Sequence, residues 1–306
     1  MSSVLESVNK RTQLVGQNRL ELLLFRLNGR QRFGINVFKV KEVLQCPPLT
    51  KLPMLNPLVK GVAHIRGETI SVIDLNAATG GRPLTSTENC FIIISEYNRS
   101  VQGFLVNSVE RIINMNWESI LPPPNGAGRS SYLTAVTEIE GELVEILDVE
   151  KILDEISPVK TSISKEADEM LTIDRDQHYH IMVVDDSAVA RKQIIRSLAS
   201  LNLQIDTAKD GKEALDKLKS IAAEMNDVSV EIPLIISDIE MPEMDGYTLT
   251  AEIRDNPKLK NIKVVLHTSL SGVFNQAMVQ KVGANDFIAK FNPDELAAAV
   301  NKHLSL

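Results

Sequence analysis

Asp185-Asp186, Asp238, Thr268 and Lys290 share one setting: each follows a short apolar run in the second half of the chain. HIMVV (180–184) precedes the paired aspartates, and LIIS (234–237) precedes Asp238. KVVLH (263–267) precedes Thr268, and DFIA (286–289) precedes Lys290. Short apolar runs bounded by polar residues read as buried strands. If such strands are parallel, their C-terminal ends form one edge, where open α/β sheets place their ligands. Three carboxylates gathered at that edge repel one another, and a hard divalent cation with oxygen ligands, Mg2+, offsets the repulsion. A lysine and a threonine hydroxyl beside it supply charge and hydrogen bonds for the oxygens of a transferring phosphoryl group. Asp238 then has the place of a nucleophile that forms an acyl phosphate. Taken singly, each residue has an ordinary reading. Asp186 would cap the helix at Ser187, Lys290 would be a solvated strand end, and Thr268 suits any strand. Their joint arrival at four of five strand ends is what argues for a site.

The elements that must position them follow from periodicity. Between the four runs and a fifth, QIDTA (204–208), lie amphipathic stretches at 187–201 and from Asp210-Gly211 onward. A last helix opens at Asn292, with Pro293 at its first position and Glu295 at its third. A further helix is expected over residues 272–281. Strict alternation of strands and helices specifies an α/β, doubly wound, five-stranded parallel sheet over residues 178–306.

Residues 1–156 have a different texture. ELLLFRL (21–27) and RFGINV (32–37) flank Asn28-Gly29, a hairpin signal. GVAHI (61–65) and TISVIDL (69–75) flank Arg66-Gly67-Glu68. CFIIIS (90–95) pairs with VQGFLV (101–106), and YLTAVTEI (132–139) with ELVEILDV (142–149) across Glu140-Gly141. Residues 37–44 suit a strand or a short helical turn. Many short strands at close spacing indicate an all-β domain of small barrels or a sandwich, closed by a helix at 149–156. Residues 1–19 suit a helix or an arm. Residues 157–177, rich in Ser, Thr, Lys, Glu and Asp, read as a linker that is partly helical around 165–171.

Composition narrows the function. The 306 residues suit two domains. A formal net charge of −7 argues against nucleic acid as the main partner, and 4% aromatics provide no stacking platform. Cys46 and Cys90, far apart in the sequence and without metal-ligand spacing, read as reduced structural residues. The five histidines read as structural or solvated. Neither a membrane-spanning run nor a signal-peptide core is expected, and no Gly-rich nucleotide-binding motif stands out.

With VVDDS (183–187), IISDIEMPEMDG (235–246), HTS (267–269) and FIAK (287–290), residues 180–306 resemble the response-regulator receiver domain of two-component signalling, a flavodoxin-like fold. The resemblance implies Asp238 as phosphoacceptor and Mg2+ held by Asp185, Asp186, Asp238 and the main-chain carbonyl of Glu240. It implies Thr268 and Lys290 as phosphoryl-binding residues, with Thr268 and Phe287 as the switch pair. Glu240 and Leu270 occupy positions that tune dephosphorylation in that family. Phe291 departs from the family, which usually has proline there. The first half resembles CheW, a chemotaxis coupling protein, most clearly in VKGVAHIRGETISVIDL (59–75), with support from residues 22–44 and 141–153. That family implies two intertwined five-stranded barrels, and places Arg66 on the surface that meets chemoreceptors and the histidine kinase CheA. The order of the two domains is that of the CheV family. It implies a non-enzymatic, cytoplasmic scaffold at membrane receptor arrays, without membrane insertion and controlled by phosphorylation. The competing expectation is an Mg-dependent phosphatase or phosphotransferase with an Asp nucleophile. Such enzymes carry Asp-x-Asp after their first strand, whereas Asp185-Asp186 is contiguous.

Overall fold

The structure, a computed structural model, describes residues 19–53, 56–97, 100–116, 119–123, 132–157, 161–268 and 279–305. The expectations for residues 1–18, Leu270 and most of the helix at 272–281 lie outside them. The chain divides into two compact units, Arg19–Val159 and Lys160–Leu306.

The first unit begins with β1 (Arg19–Arg26), β2 (Arg32–Asn36), β3 (Glu42–Gln45), β4 (Val59–Ile65), β5 (Glu68–Asp74), the short helix α1 (Leu75–Ala78) and β6 (Phe91–Tyr97). It continues with β7 (Ser100–Val106), β8 (Ser108–Asn116), β9 (Leu133–Ile139), β10 (Glu142–Leu147) and α2 (Val149–Ile156). These strands form two five-stranded sheets, β8-β1-β2-β10-β9 and β3-β6-β7-β5-β4. The second sheet is thus inserted in sequence between β2 and β8 of the first.

Burial explains the unbroken apolar run in β1. Leu20, Leu22 and Leu24 pack with Ala135, Val144 and Ile146 of their own sheet. Leu23 and Phe25 face the other way, into a core shared with Ile73, Ile93 and Phe104 of the second sheet and Ile152 of α2. A strand buried on both faces cannot alternate. The β4–β5 hairpin turns through Arg66 (φ 51°) and Gly67 (φ 88°), and the β9–β10 hairpin through Glu140 (φ 56°) and Gly141 (φ 78°). Two left-handed residues are what the right-handed twist of the flanking strands requires of a two-residue turn.

Three features differ from the sequence reading. The β1–β2 connection is longer than a two-residue turn, because the last pair is Arg26↔Arg32 and Asn28-Gly29 sits inside a five-residue loop. β8, absent from that reading, is an edge strand with mostly solvated side chains and no clear period. Cys46 and Cys90 are neighbours: the Gln45↔Phe91 pair continues into a Cys46 N–H to Cys90 carbonyl hydrogen bond of 2.9 Å, and both thiols are free.

The second unit holds α3 (Lys165–Glu169), β11 (His180–Val184), α4 (Ala188–Ser197), β12 (Gln204–Ala208), α5 (Gly211–Glu224) and β13 (Leu234–Ser237). It ends with α6 (Gly246–Asp255), β14 (Lys263–Thr268), β15 (Asp286–Ala289) and α7 (Pro293–Leu304). All the strand pairs are parallel, in the order β12-β11-β13-β14-β15. This is the doubly wound order whose switch point falls between β11 and β13. The helices start where their caps stand: Ser187, Asp210, Asp245 and Asn292 each accept main-chain N–H groups of the first turn.

Candidate phosphoacceptor and cation site

The switch point decides the site. Because β11 and β13 are neighbours, the residues just after them, Asp185-Asp186 and Asp238, are brought side by side. The main chain fixes both loops: Asp238 N–H donates to Val184 O at 2.7 Å, and Asp185 N–H to Ala208 O at 3.2 Å. Asp185 Oδ1 accepts Ser187 N–H at 2.9 Å, and Asp238 Oδ1 accepts Ile239 N–H at 2.8 Å. One oxygen of Asp185 and one of Asp238 are therefore held locally, and the second oxygen of each faces Lys290.

Asp185, Asp186 and Asp238 each present an oxygen within 4.8 Å of the others. From β15, Lys290 Nζ reaches Asp185 Oδ2 at 2.7 Å and Asp238 Oδ2 at 3.1 Å. Lys290, Asp185 and Asp238 are all buried, with Thr268 beside them at the end of β14. The Lys290 N–H donates to Thr268 O at 2.8 Å, tying the β15 end to the β14 end. Three carboxylates against one ammonium leave a net negative pocket lined by oxygen. That donor set fits a small hard divalent cation such as Mg2+, which takes carboxylates together with water or phosphate oxygens.

Neighbouring residues hold this arrangement in place. Gly246 is required by close approach, because a Cβ there would lie 2.1 Å from Asp238 O. Arg191 Nη1 donates to the main-chain carbonyls of Asp185 and, at 3.2 Å, Asp186. No motif marked Arg191; its only signal is its position one helical turn after the Ser187 cap. His267 is fully buried against Phe291, ring centroids 5.7 Å apart. Burial, with the Lys290 ammonium nearby, holds its imidazole well below the usual range, so it is neutral. The peptide between Lys290 and Phe291 is cis.

The structure brings Asp185, Asp186, Asp238 and Lys290 together, with Thr268 on the adjoining strand end. Glu240 lies in the loop two residues beyond Asp238, and Phe287 is half-buried against the core under α5 and α6. Arg66 belongs to the other unit. It sits at the tip of the β4–β5 hairpin, with Nη2 2.6 Å from Glu42 Oε1 and its side chain 77% exposed.

Comparison with known proteins agrees with both halves. Residues 21–157 match the CheW-like domain, and residues 181–301 the response regulator receiver domain. Chemotaxis protein CheV3 of Helicobacter pylori is 31% identical over 94% of this chain and 95% of its own length. The chain belongs to the CheV family. Chemotaxis protein CheV1 of the same organism is 28% identical, with both chains fully covered. The crystal structure of the scaffolding protein TtCheW from Thermoanaerobacter tengcongensis is 24% identical over 46% of this chain and 95% of that one, with a TM-score of 0.42. As a CheV-family member the chain is a chemotaxis coupling scaffold with a phosphorylatable receiver domain. Among the described residues no helix is long and apolar enough to cross a membrane.

Proposed function

We propose that Asp238 is the residue phosphorylated in this CheV-family chain, by a histidine kinase of the CheA type. The observation that carries the proposal is the convergence of Asp185, Asp186 and Asp238, two of which, Asp185 and Asp238, pair with Lys290. Asp185, Asp186, Asp238 and the main-chain carbonyl of Glu240 would hold Mg2+, which supplies neutralisation of the phosphoryl oxygens. The remaining work falls to the chain itself. Asp238 Oδ2 is the nucleophile, because Oδ1 is held by Ile239 N–H. Lys290 Nζ forms an ion pair with Asp238 at 3.1 Å and would follow negative charge transferred onto it. Thr268 would donate its hydroxyl to a phosphoryl oxygen, and Phe287 would respond to its movement as the switch partner.

The coupling unit would link chemoreceptors to the kinase through the surface around Arg66, so the chain acts as a scaffold rather than an enzyme. The exposure of Arg66 at a hairpin tip favours contact over core packing. The test is incubation with acetyl phosphate and Mg2+ followed by mass spectrometry. One base-labile phosphoryl group per chain is expected, with none on Asp238→Asn. Continuous release of phosphate at enzymatic rates would favour a phosphatase, and stable labelling of Asp238→Asn would refute the assignment.

A further inference from the structure

Residues 164–175, within the stretch read as a linker, are bound to the last helix. Ser164 N–H donates to Asp294 Oδ1 at 2.8 Å, in the first turn of α7. Near its other end, Asn301 Oδ1 accepts Thr172 N–H at 2.7 Å, Ile173 N–H at 2.8 Å and Thr172 Oγ1 at 3.3 Å. Ile173 is buried. Arg175 closes the segment: it pairs with Asp168 at 2.8 Å, and its carbonyl accepts from Asn202 Nδ2 at 3.0 Å. The segment is a strap along α7, held mainly by its own main-chain N–H groups on an Asp and an Asn.

The strap's first anchor is close to the candidate site along the chain. Asp294 lies four residues beyond Lys290, through the buried Phe291 and the cap Asn292, whose side chain accepts the N–H of Asp294 itself. Lys290 is in turn bound to Asp185 and Asp238. A displacement of the Lys290 ammonium therefore has a short, packed path to the bond at Ser164. That bond tolerates little movement, since lengthening by about 0.7 Å takes it past hydrogen-bonding range.

Resting on Asp238 as phosphoacceptor, we propose that the strap is a releasable intrachain ligand of α7, and that a phosphoryl group on Asp238 weakens its docking. Such a group brings about −2 charge and new acceptor oxygens to the cleft. It draws Lys290 from its present bonds and shifts the first turn of α7 beneath Ser164. Release frees the covered face of α7. It also detaches residues 164–175 from the receiver unit, so that they join the connection between the two units.

The test uses the full chain with Mg2+, with and without beryllofluoride as the phosphoryl mimic. Hydrogen exchange should show the loop after Asp238 gaining protection while the amides of Ser164, Thr172 and Ile173 lose it fivefold or more. Coupling between two sites is reciprocal. Variants that loosen the strap must therefore bind beryllofluoride more tightly by a similar factor. Asn301→Ala removes the distal acceptor. Ser164→Pro removes the proximal donor at a residue whose φ of −67° already suits proline, and leaves α7 untouched. If the Asp238 loop responds while the strap amides and both variants' affinities stay unchanged, the coupling is wrong and the phosphoacceptor reading stands. If beryllofluoride leaves the Asp238 loop itself unaltered, the phosphoacceptor reading fails and takes the coupling with it. Strap amides that exchange freely without the mimic would refute the docking.

Discussion

Replacing Lys290 by Met removes the positive charge from a cleft with three carboxylates and leaves a side chain of similar length. Its Nζ lies 2.7 Å from Asp185 and 3.1 Å from Asp238, and all three side chains are at most 3% exposed. Removing one partner of a buried ion pair strands the other's charge, at a cost of about 3–5 kcal/mol. For a unit of this size each kcal/mol lowers the melting temperature by about 2–4 °C, so a drop of about 6–20 °C is expected in EDTA. The same charge opposes a cation. At about 5 Å and an effective dielectric constant between about 20 and 80, a unit charge and a divalent ion repel by about 2–7 kcal/mol. The variant should therefore bind Mg2+ at least about tenfold more tightly, and added Mg2+ should recover part of the lost stability by mass action. Differential scanning calorimetry of the full chain with metal titration reads both effects. The transition of the CheW-like unit, which contains none of these residues, serves as the internal reference. A loss below about 1 kcal/mol together with unchanged Mg2+ affinity would show that Lys290 does not balance this cluster.

Gly246→Ala places a methyl group 2.1 Å from Asp238 O and 3.0 Å from Ile239 Cα. It should destabilise the receiver unit by about 1–3 kcal/mol or more and slow acetyl phosphate labelling, because relief of the clash displaces the peptide of Asp238, the proposed phosphoacceptor; labelling at the wild-type rate would argue against that coupling. Burial, with Cys90 alongside, pushes the Cys46 thiol up to about 11. At pH 8 its thiolate fraction is then about 10⁻³, so iodoacetamide should react with it a few hundredfold more slowly than with an unperturbed thiol. The rate should climb tenfold per pH unit between pH 7 and 9, and a plateau near pH 8.5 would contradict the shift. Arg66→Glu breaks one exposed ion pair with Glu42, so stability should change by less than about 1 kcal/mol while binding to receptor–kinase complexes falls; undiminished recruitment in a pull-down would remove Arg66 from the interface.

The receiver's strands were legible because their signal is local. HIMVV, QIDTA, LIIS, KVVLH and DFIA coincide with β11 to β15 to within one residue. Their order along the chain, together with the parallel rule, places Asp185, Asp186, Asp238, Thr268 and Lys290 at one edge. The helix starts at Ser187, Asp210 and Asn292 were equally readable, because a cap is a bond between residues two or three apart. Composition and turn residues were enough to separate an all-β half from an α/β half.

Other features were settled only by contacts between distant parts of the chain. β8 carries charges and no steady alternation. It is a strand because β1 offers it a full edge to pair with, from Arg19↔Asn116 to Arg26↔Ser108. The division of the β-strands into two sheets rests on the parallel pairings of β2 with β10 and of β5 with β7, and hairpin signals say nothing of either. Cys46 meets Cys90 only because β3 and β6 pair in that register. The strap departs furthest from its composition. A polar segment without a large apolar face reads as a partly helical linker, because local sequence records burial and not the partner that will accept a main-chain N–H. Asp294 and Asn301 are more than a hundred residues from the groups they hold. The residues available for chemistry and the strands that carry them were determined by local sequence. Which carboxylates share a lysine, and which helix holds the polar segment 164–175, were decided by tertiary structure, because those energies depend on distances that no local pattern encodes.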